Sequence, residues 1–204
     1  MATVRPLRPE VIEPPALHDR AIDNLRFIRE TMERAGSFTA ISGWGIVATG
    51  LAALAASAAA RLAGSEALWV AVWVAAAVLC AIISSWATMR KAKRSGEPMI
   101  SGPARKLALS FSPPMIVGAL LTLVLVRMSL TELLPGVWLS IYGTAVVAGG
   151  AYSVRIVPVM GFCFMALGAV ALFAPAGLGD WLMALGFGGL HVVFGIQIAR
   201  RHGG

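Results

Sequence analysis

This sequence predicts an all-α, polytopic membrane fold: six transmembrane helices arranged as three hairpins, with an amphipathic cytosolic N-terminal helix ahead of them. Three observations carry that prediction. Six apolar stretches of about twenty residues recur along the chain, and at about 1.5 Å of rise per residue such a helix covers the roughly 30 Å hydrocarbon core of a bilayer. Only 13% of the residues are charged, against about 25% in soluble domains. Those charges are also confined to blocks between the apolar stretches, with the basic blocks on alternate connections.

Residues 1–16 form a Pro-rich arm, with Pro6, Pro9, Pro14 and Pro15. Proline at that density precludes a regular helix, so the arm is expected to be disordered. Residues 17–36 are expected to form the cytosolic helix. Leu17, Ala21, Leu25, Ile28, Met32 and Ala35 recur at spacings of four and three and make one apolar stripe. Asp19, Asp23, Arg26, Glu30, Glu33 and Arg34 fall on the other face, and Arg26–Glu30, Arg29–Glu33 and Glu30–Arg34 are opposite charges one turn apart. The charges of this stretch cancel, whereas a helix built to lie on anionic lipid is net basic. Leu17, Leu25, Ile28 and Met32 therefore mark an interaction helix for protein: its own cytoplasmic loops, a second protomer or a cytosolic partner. Gly36-Ser37 ends it.

Residues 37–204 make the transmembrane domain, with spans predicted at 38–60, 67–88, 107–126, 133–152, 156–174 and 181–199. No apolar run precedes the first span, which is expected to act as an uncleaved insertion signal. Of the 17 Lys and Arg residues, only Arg61 and Arg127 fall on the connections opposite to the amino terminus. The rest lie before the first span, between residues 89 and 106, at Arg155 and at Arg200-Arg201. Basic residues collect on the cytoplasmic side, so both termini are expected to be cytoplasmic, in a bacterial inner (plasma) membrane. Arg in excess of Lys, with abundant Ala and Gly, suits a GC-rich bacterium. Glu66, Glu132 and Asp180 mark the other side, each close to a Trp (Trp69, Trp138, Trp181) of the kind that anchors a helix at the headgroup boundary. The insertion rules alone impose this acid-to-basic pattern on each hairpin, so it does not require a triplicated sequence.

Within the spans, Ala48, Ala52, Ala56 and Ala60, then Ala145 with Gly149, and Ala184 with Gly188, place small residues one turn apart. Such rows let helix backbones approach closely, inside one bundle or across a homo-oligomer face. The third span contains Ser110-Phe111-Ser112-Pro113-Pro114. Pro113 and Pro114 are taken as a helix break: the spanning helix starts there, with proline in its first turn, after a short interfacial piece. A helix that enters earlier and kinks at the prolines, lining a site, is the alternative.

Net charge +7 suggests nucleic acid, but the cations flank apolar runs and do not line one face, so no nucleic-acid partner is expected. Cys80 and Cys163 lie inside apolar segments and read as small buried hydrophobes. No G-x-S-x-G, H-E-x-x-H or Walker A motif occurs, and no pair of carboxylates lies within a span. The sequence thus points away from an enzyme, and no cofactor is expected. His18 and His202 lie outside the apolar segments, leaving no second histidine for a membrane haem.

His191 is the ionisable side chain deep in a span, with small neighbours Ala184, Gly188 and Gly195. An imidazole facing lipid is costly, so it is expected to face the bundle or a polar cavity. Cys80, Thr144 and Met165 lie at comparable depth. A structural histidine bonded to Thr144, Tyr142 or a backbone carbonyl is the first reading. A sensing histidine on a polar pocket is the second. A soft metal site with Cys80 and Met165 lacks any spacing motif.

The stretches DNLRFIRETMERAGSFTAISGWG (residues 23–45) and GFGGLHVVFG (residues 186–195) resemble those of small bacterial inner-membrane proteins with six helices. The resemblance implies that the N-terminal helix and the first span act as one unit. It carries no chemistry to this chain. The function expected is that of a non-catalytic membrane protein with a sensing, assembly or partner-interaction role exercised through residues 17–36. The alternative is a small permease or channel with a pathway near His191 and Pro113-Pro114.

Overall fold

The computed structural model describes residues 17–35, 38, 41–96 and 101–202. The Pro-rich arm and Gly36-Ser37 lie outside the described residues. The chain divides into two compact units, residues 1–35 and 36–204.

The first unit contains α1, Leu17–Ala35. Leu25, Ile28 and Met32 of its apolar stripe are all exposed, at 66%, 51% and 69%. Ile22 and Phe27 add further exposed apolar surface.

The described residues of the second unit are helical apart from short turns and loops and an isolated bridge between Phe38 and Ser153. Its helices are α2 (Gly43–Arg61), α3 (Glu66–Ser95), α4 (Gly102–Arg127), α5 (Leu134–Gly150), α6 (Ile156–Phe173), α7 (Gly179–Met183) and α8 (His191–His202). A π-helical turn, Ala184–Leu190, joins α7 to α8. Among the described residues six helices are long and apolar enough to cross a membrane, counting α7, the π turn and α8 as one.

Serine starts three of them. Ser42, Ser65 and Ser101 each accept a hydrogen bond from the backbone N–H three residues on, at 3.1, 3.2 and 3.2 Å, satisfying a donor that the first turn leaves free. Helix α3 ends at Gly96 in the left-handed conformation (φ 67°), where glycine carries no Cβ penalty. It runs past the apolar stretch to Ser95 because Arg, Lys and Ala there are good helix formers in water.

Two expectations for the spans are corrected. Pro113 and Pro114 do not break or start a helix: α4 begins at Gly102, carries Pro103 in its first turn and continues through both prolines to Arg127. Each proline removes one N–H, but the hydrogen bonds on either side hold the helix together. The last span is not a continuous α-helix. Its backbone widens to i→i+5 bonding over Ala184–Leu190, a stretch that holds Gly186, Gly188 and Gly189 and so has little α-helical preference.

Of the three expected hairpin pairs, α2–α3 and α4–α5 pack together, and the third, α6 with the last span, is in light contact. The most extensive contacts join α5 to α6, and α2 to the last span. Helix α4 packs on α5, and α3 on α2, whereas α6 touches the last span only lightly. Missing side chains explain the closest pairs. A Cβ on Gly143 would stand 2.7 Å from the Gly161 carbonyl, and one on Gly161 would stand 2.8 Å from the Gly143 carbonyl. The two backbones are therefore in contact, where dispersion replaces a hydrophobic drive. Helices α3 and α4 lie at the periphery, with 11% and 6% of their apolar windows buried. The core lies between α2, α5, α6 and the last span, around Ile46, Leu139, Phe164, Met183 and Ile198.

The basic end of this unit is tied by side chains. Lys91 Nζ donates to the carbonyls of Ile41 (3.1 Å) and His202 (2.8 Å). Phe38 N–H donates to the Tyr152 carbonyl (2.7 Å) and the Ser153 hydroxyl to the Phe38 carbonyl (2.9 Å).

Candidate functional site: a buried tyrosine–histidine pair

His191 is the first residue after the π turn and is 7% exposed. Its Nδ1 lies 2.9 Å from the Phe187 carbonyl, one turn back. A carbonyl only accepts, so Nδ1 carries the proton and donates. Nε2 lies 2.7 Å from the Tyr142 hydroxyl on α5. In the neutral ring Nε2 is an acceptor, and the phenol donates to it. Both ring nitrogens are thereby satisfied, one within the last span and one across to α5.

Aromatic rings enclose the pair. Tyr142 meets Phe111 of α4 (centroids 6.0 Å), Phe164 of α6 (4.9 Å) and Phe187 of the π turn (5.2 Å), all edge-on. Phe164 also stands edge-on to His191 at 5.2 Å. Edge-to-face packing sets the positive rim of one ring against the negative face of another. Trp73 of α3 lies 6.2 Å from Phe187. Its indole N–H is buried without a hydrogen-bond partner.

The other residues singled out from the sequence sit elsewhere. The Thr144 hydroxyl is exposed and donates to the Ser140 carbonyl at 2.9 Å. Cys80 is half-buried and its thiol points to the Thr49 carbonyl at 3.6 Å. Met165 is partly exposed and packs against Gly143. Pro113 and Pro114 follow Phe111 on α4, one turn before Gly118. Phe111, Phe164, Phe187 and Trp73 were not anticipated, because an aromatic residue in an apolar run carries no mark of what it will pack on.

A second polar cluster occupies the opposite, acidic end. A cleft of about 470 Å³ is lined by Glu66, Trp69, Thr131, Glu132, Pro135 and Asp180, among others. Trp69 Nε1 donates to Asp180 Oδ1 (2.7 Å), and the Thr131 hydroxyl to Glu66 Oε2 (2.7 Å). Trp69 stacks on Trp138 at 5.5 Å with planes 4° apart. Trp138 in turn donates to the Thr122 hydroxyl at 2.8 Å. These two indoles are fastened to protein groups. Trp181 differs: it is exposed, with the Arg61 guanidinium 4.3 Å over its ring.

Fold and site together define an all-helical bundle with six helices of membrane-crossing length and an uncharged hydrogen-bonded pair in an aromatic core. Compared with protein-family models, with curated proteins and with solved structures, the chain finds no match.

Proposed function

We propose that this chain is a non-catalytic inner-membrane protein that assembles through α1, with both termini in the cytoplasm. The observation that carries the proposal is the exposed stripe Leu25, Ile28 and Met32. An apolar helix face left in water is unfavourable, and a contiguous exposed face marks an interaction surface. The stripe from Ala21 to Ala35 runs at spacings of four, three, four and three, the alternation of a coiled-coil seam. Two heptads are too short to pair from dilute solution. Anchoring in one membrane raises the effective concentration of one copy for another and offsets that weakness. The occupant that this seam suits is a second copy of α1, side by side and in the same direction. The distribution of Lys and Arg supports the cytoplasmic placement.

The test uses single cysteines at Leu25→Cys or Met32→Cys with Cys80 and Cys163 replaced by Ser, oxidised in native membranes. A disulfide-linked dimer is expected, and Leu25→Asp/Ile28→Asp should abolish association while insertion persists. Co-purification of a cytosolic protein that depends on residues 1–36, without self-association, assigns the helix to a partner instead. Association untouched by deleting residues 1–36 overturns the proposal, and reporter fusions placing Lys93 and Gly204 on opposite sides of the membrane overturn the topology.

A second reading, a small permease with a pathway near His191 and Pro113-Pro114, is favoured by a separate observation. The last span departs from α-helical geometry immediately before His191, and irregular spans in transporters often border a solute site.

A further inference from the structure

We infer that the bundle consists of two inverted three-helix units, α2–α4 and α5–α8, which have exchanged their third helices. We further infer that bending of those helices opens the Tyr142–His191 pair to each side of the membrane in turn, admitting a small neutral solute that carries a hydrogen-bond acceptor. The inference rests on the permease reading.

Packing supplies the first support. Helix α2 packs on α3, the next helix, and on the last span; α5 packs on α6, the next helix, and on α4. Exchanging the two units maps this pattern onto itself. Each third helix lies on the first helix of the other unit, and the last span also keeps contact with α5 and α6 of its own unit, through Tyr142 and Phe164. A unit of three spans returns the chain to the opposite side, so its repeat enters the membrane inverted.

The third helices supply independent support. Ala108, Leu109, Phe111 and Val117 recur in the same order and spacing as Ala184, Leu185, Phe187 and Val193. Gly118 follows Phe111 by seven residues and Gly195 follows Phe187 by eight. The extra residue is Phe194, between Val193 and Gly195, in the first turn of α8 just beyond the π turn. Both glycines face the first helix of the other unit. A Cβ on Gly118 would meet Ile141 of α5 at 3.2 Å, and one on Gly195 would meet Val47 of α2 at 2.8 Å. Phe111 and Phe187 both reach the ring of Tyr142, which places that residue at the junction of the units.

Each third helix is weakened at matching depth. Pro113 and Pro114 deprive α4 of two N–H donors just after Phe111, and the π turn surrounds Phe187. Inverted repeats with irregular helices in corresponding positions place their site at the junction, near mid-depth. The rings around Tyr142 and His191 bring no formal charge, so a charged solute would lose its hydration without compensation. The unpartnered Trp73 N–H beside Phe187 supplies a donor for the solute's acceptor.

Leu139 and Val146 are buried on α5, one turn to either side of Tyr142. The full chain, with Cys80 and Cys163 replaced by Ser and one cysteine at Leu139→Cys or Val146→Cys, is placed in vesicles of each orientation and treated with a small membrane-impermeant thiol reagent. Labelling from both faces is expected, slowed by roughly an order of magnitude in Pro113→Ala/Pro114→Ala, whose stiffer α4 disfavours opening. Labelling from one face only overturns the alternation while leaving the permease reading in place. No labelling from either face, while a control Ser65→Cys reacts to completion, overturns both.

Discussion

The Tyr142 hydroxyl stands 2.7 Å from Nε2 of His191 and connects α5 to the last span through the middle of the bundle. Few polar contacts between distant helices occur at this depth, and here neither water nor lipid replaces a lost partner. Tyr142→Phe leaves Nε2 buried and unsatisfied, at a cost of about 1–3 kcal/mol. Thermal unfolding in detergent should show a lower midpoint for Tyr142→Phe. The double variant Tyr142→Phe/His191→Leu should lose less than the two single losses added together, because it removes both partners. Additive losses would show that the pair is not coupled.

The indole of Trp69 donates to Asp180 at the acidic end, linking α3 to the start of the last span. Asp180→Asn keeps an acceptor oxygen and should leave the melting midpoint nearly unchanged. Asp180→Ala removes it and should cost about 1 kcal/mol, as for a single partly buried hydrogen bond. Equal midpoints for the Asn and Ala variants would mean that the bond contributes nothing measurable.

Backbone contact between α5 and α6 leaves no room at Gly143, where an added Cβ meets the Gly161 carbonyl. Gly143→Val should separate the helices and destabilise the fold by about 1–3 kcal/mol or more. Gly102, with no heavy atom near its Cβ position, is the control, since Gly102→Ala should be tolerated. A folded, fully stable Gly143→Val would contradict the packing described.

Lys91 reaches two carbonyls, those of Ile41 and His202, and so fastens the entry to α2 and the end of α8 to α3. Lys91→Met removes both bonds, worth about 1 kcal/mol each at most. Limited proteolysis should then cut faster after Arg200 and Arg201 while the melting midpoint falls only slightly. Unchanged cleavage would remove the clamp from the account.

How much could be read from the chain differs by element. Six apolar stretches could be read as six helices of membrane-crossing length, because length and hydropathy are properties of each segment alone. Helix ends depart from the apolar limits by five residues at the start of α2, seven at the far end of α3 and five at the start of α4. A helix in water or at an interface needs no apolar sequence. Pro113 and Pro114 invited a helix start that α4 does not have, since two missing donors are a local deficit that flanking turns outweigh. The π turn was not foreseen: Gly188 was read as a small packing residue, and nothing in its spacing announces an extra residue per turn. For His191 the sequence narrowed the choice of partner to Thr144, Tyr142 or a carbonyl. Only the facing of α5 selects Tyr142 and turns Thr144 outward.

What the sequence determined by itself is therefore helicity, the number of membrane-length segments and the sign of charge at each end, because solvent transfer and backbone hydrogen bonding act on every segment separately. Tertiary structure decided which helix lies beside which, and with it the ring cluster around Tyr142 and His191. Between apolar helices selection falls to glycine-lined contacts and a few polar bonds, and these depend on two surfaces at once.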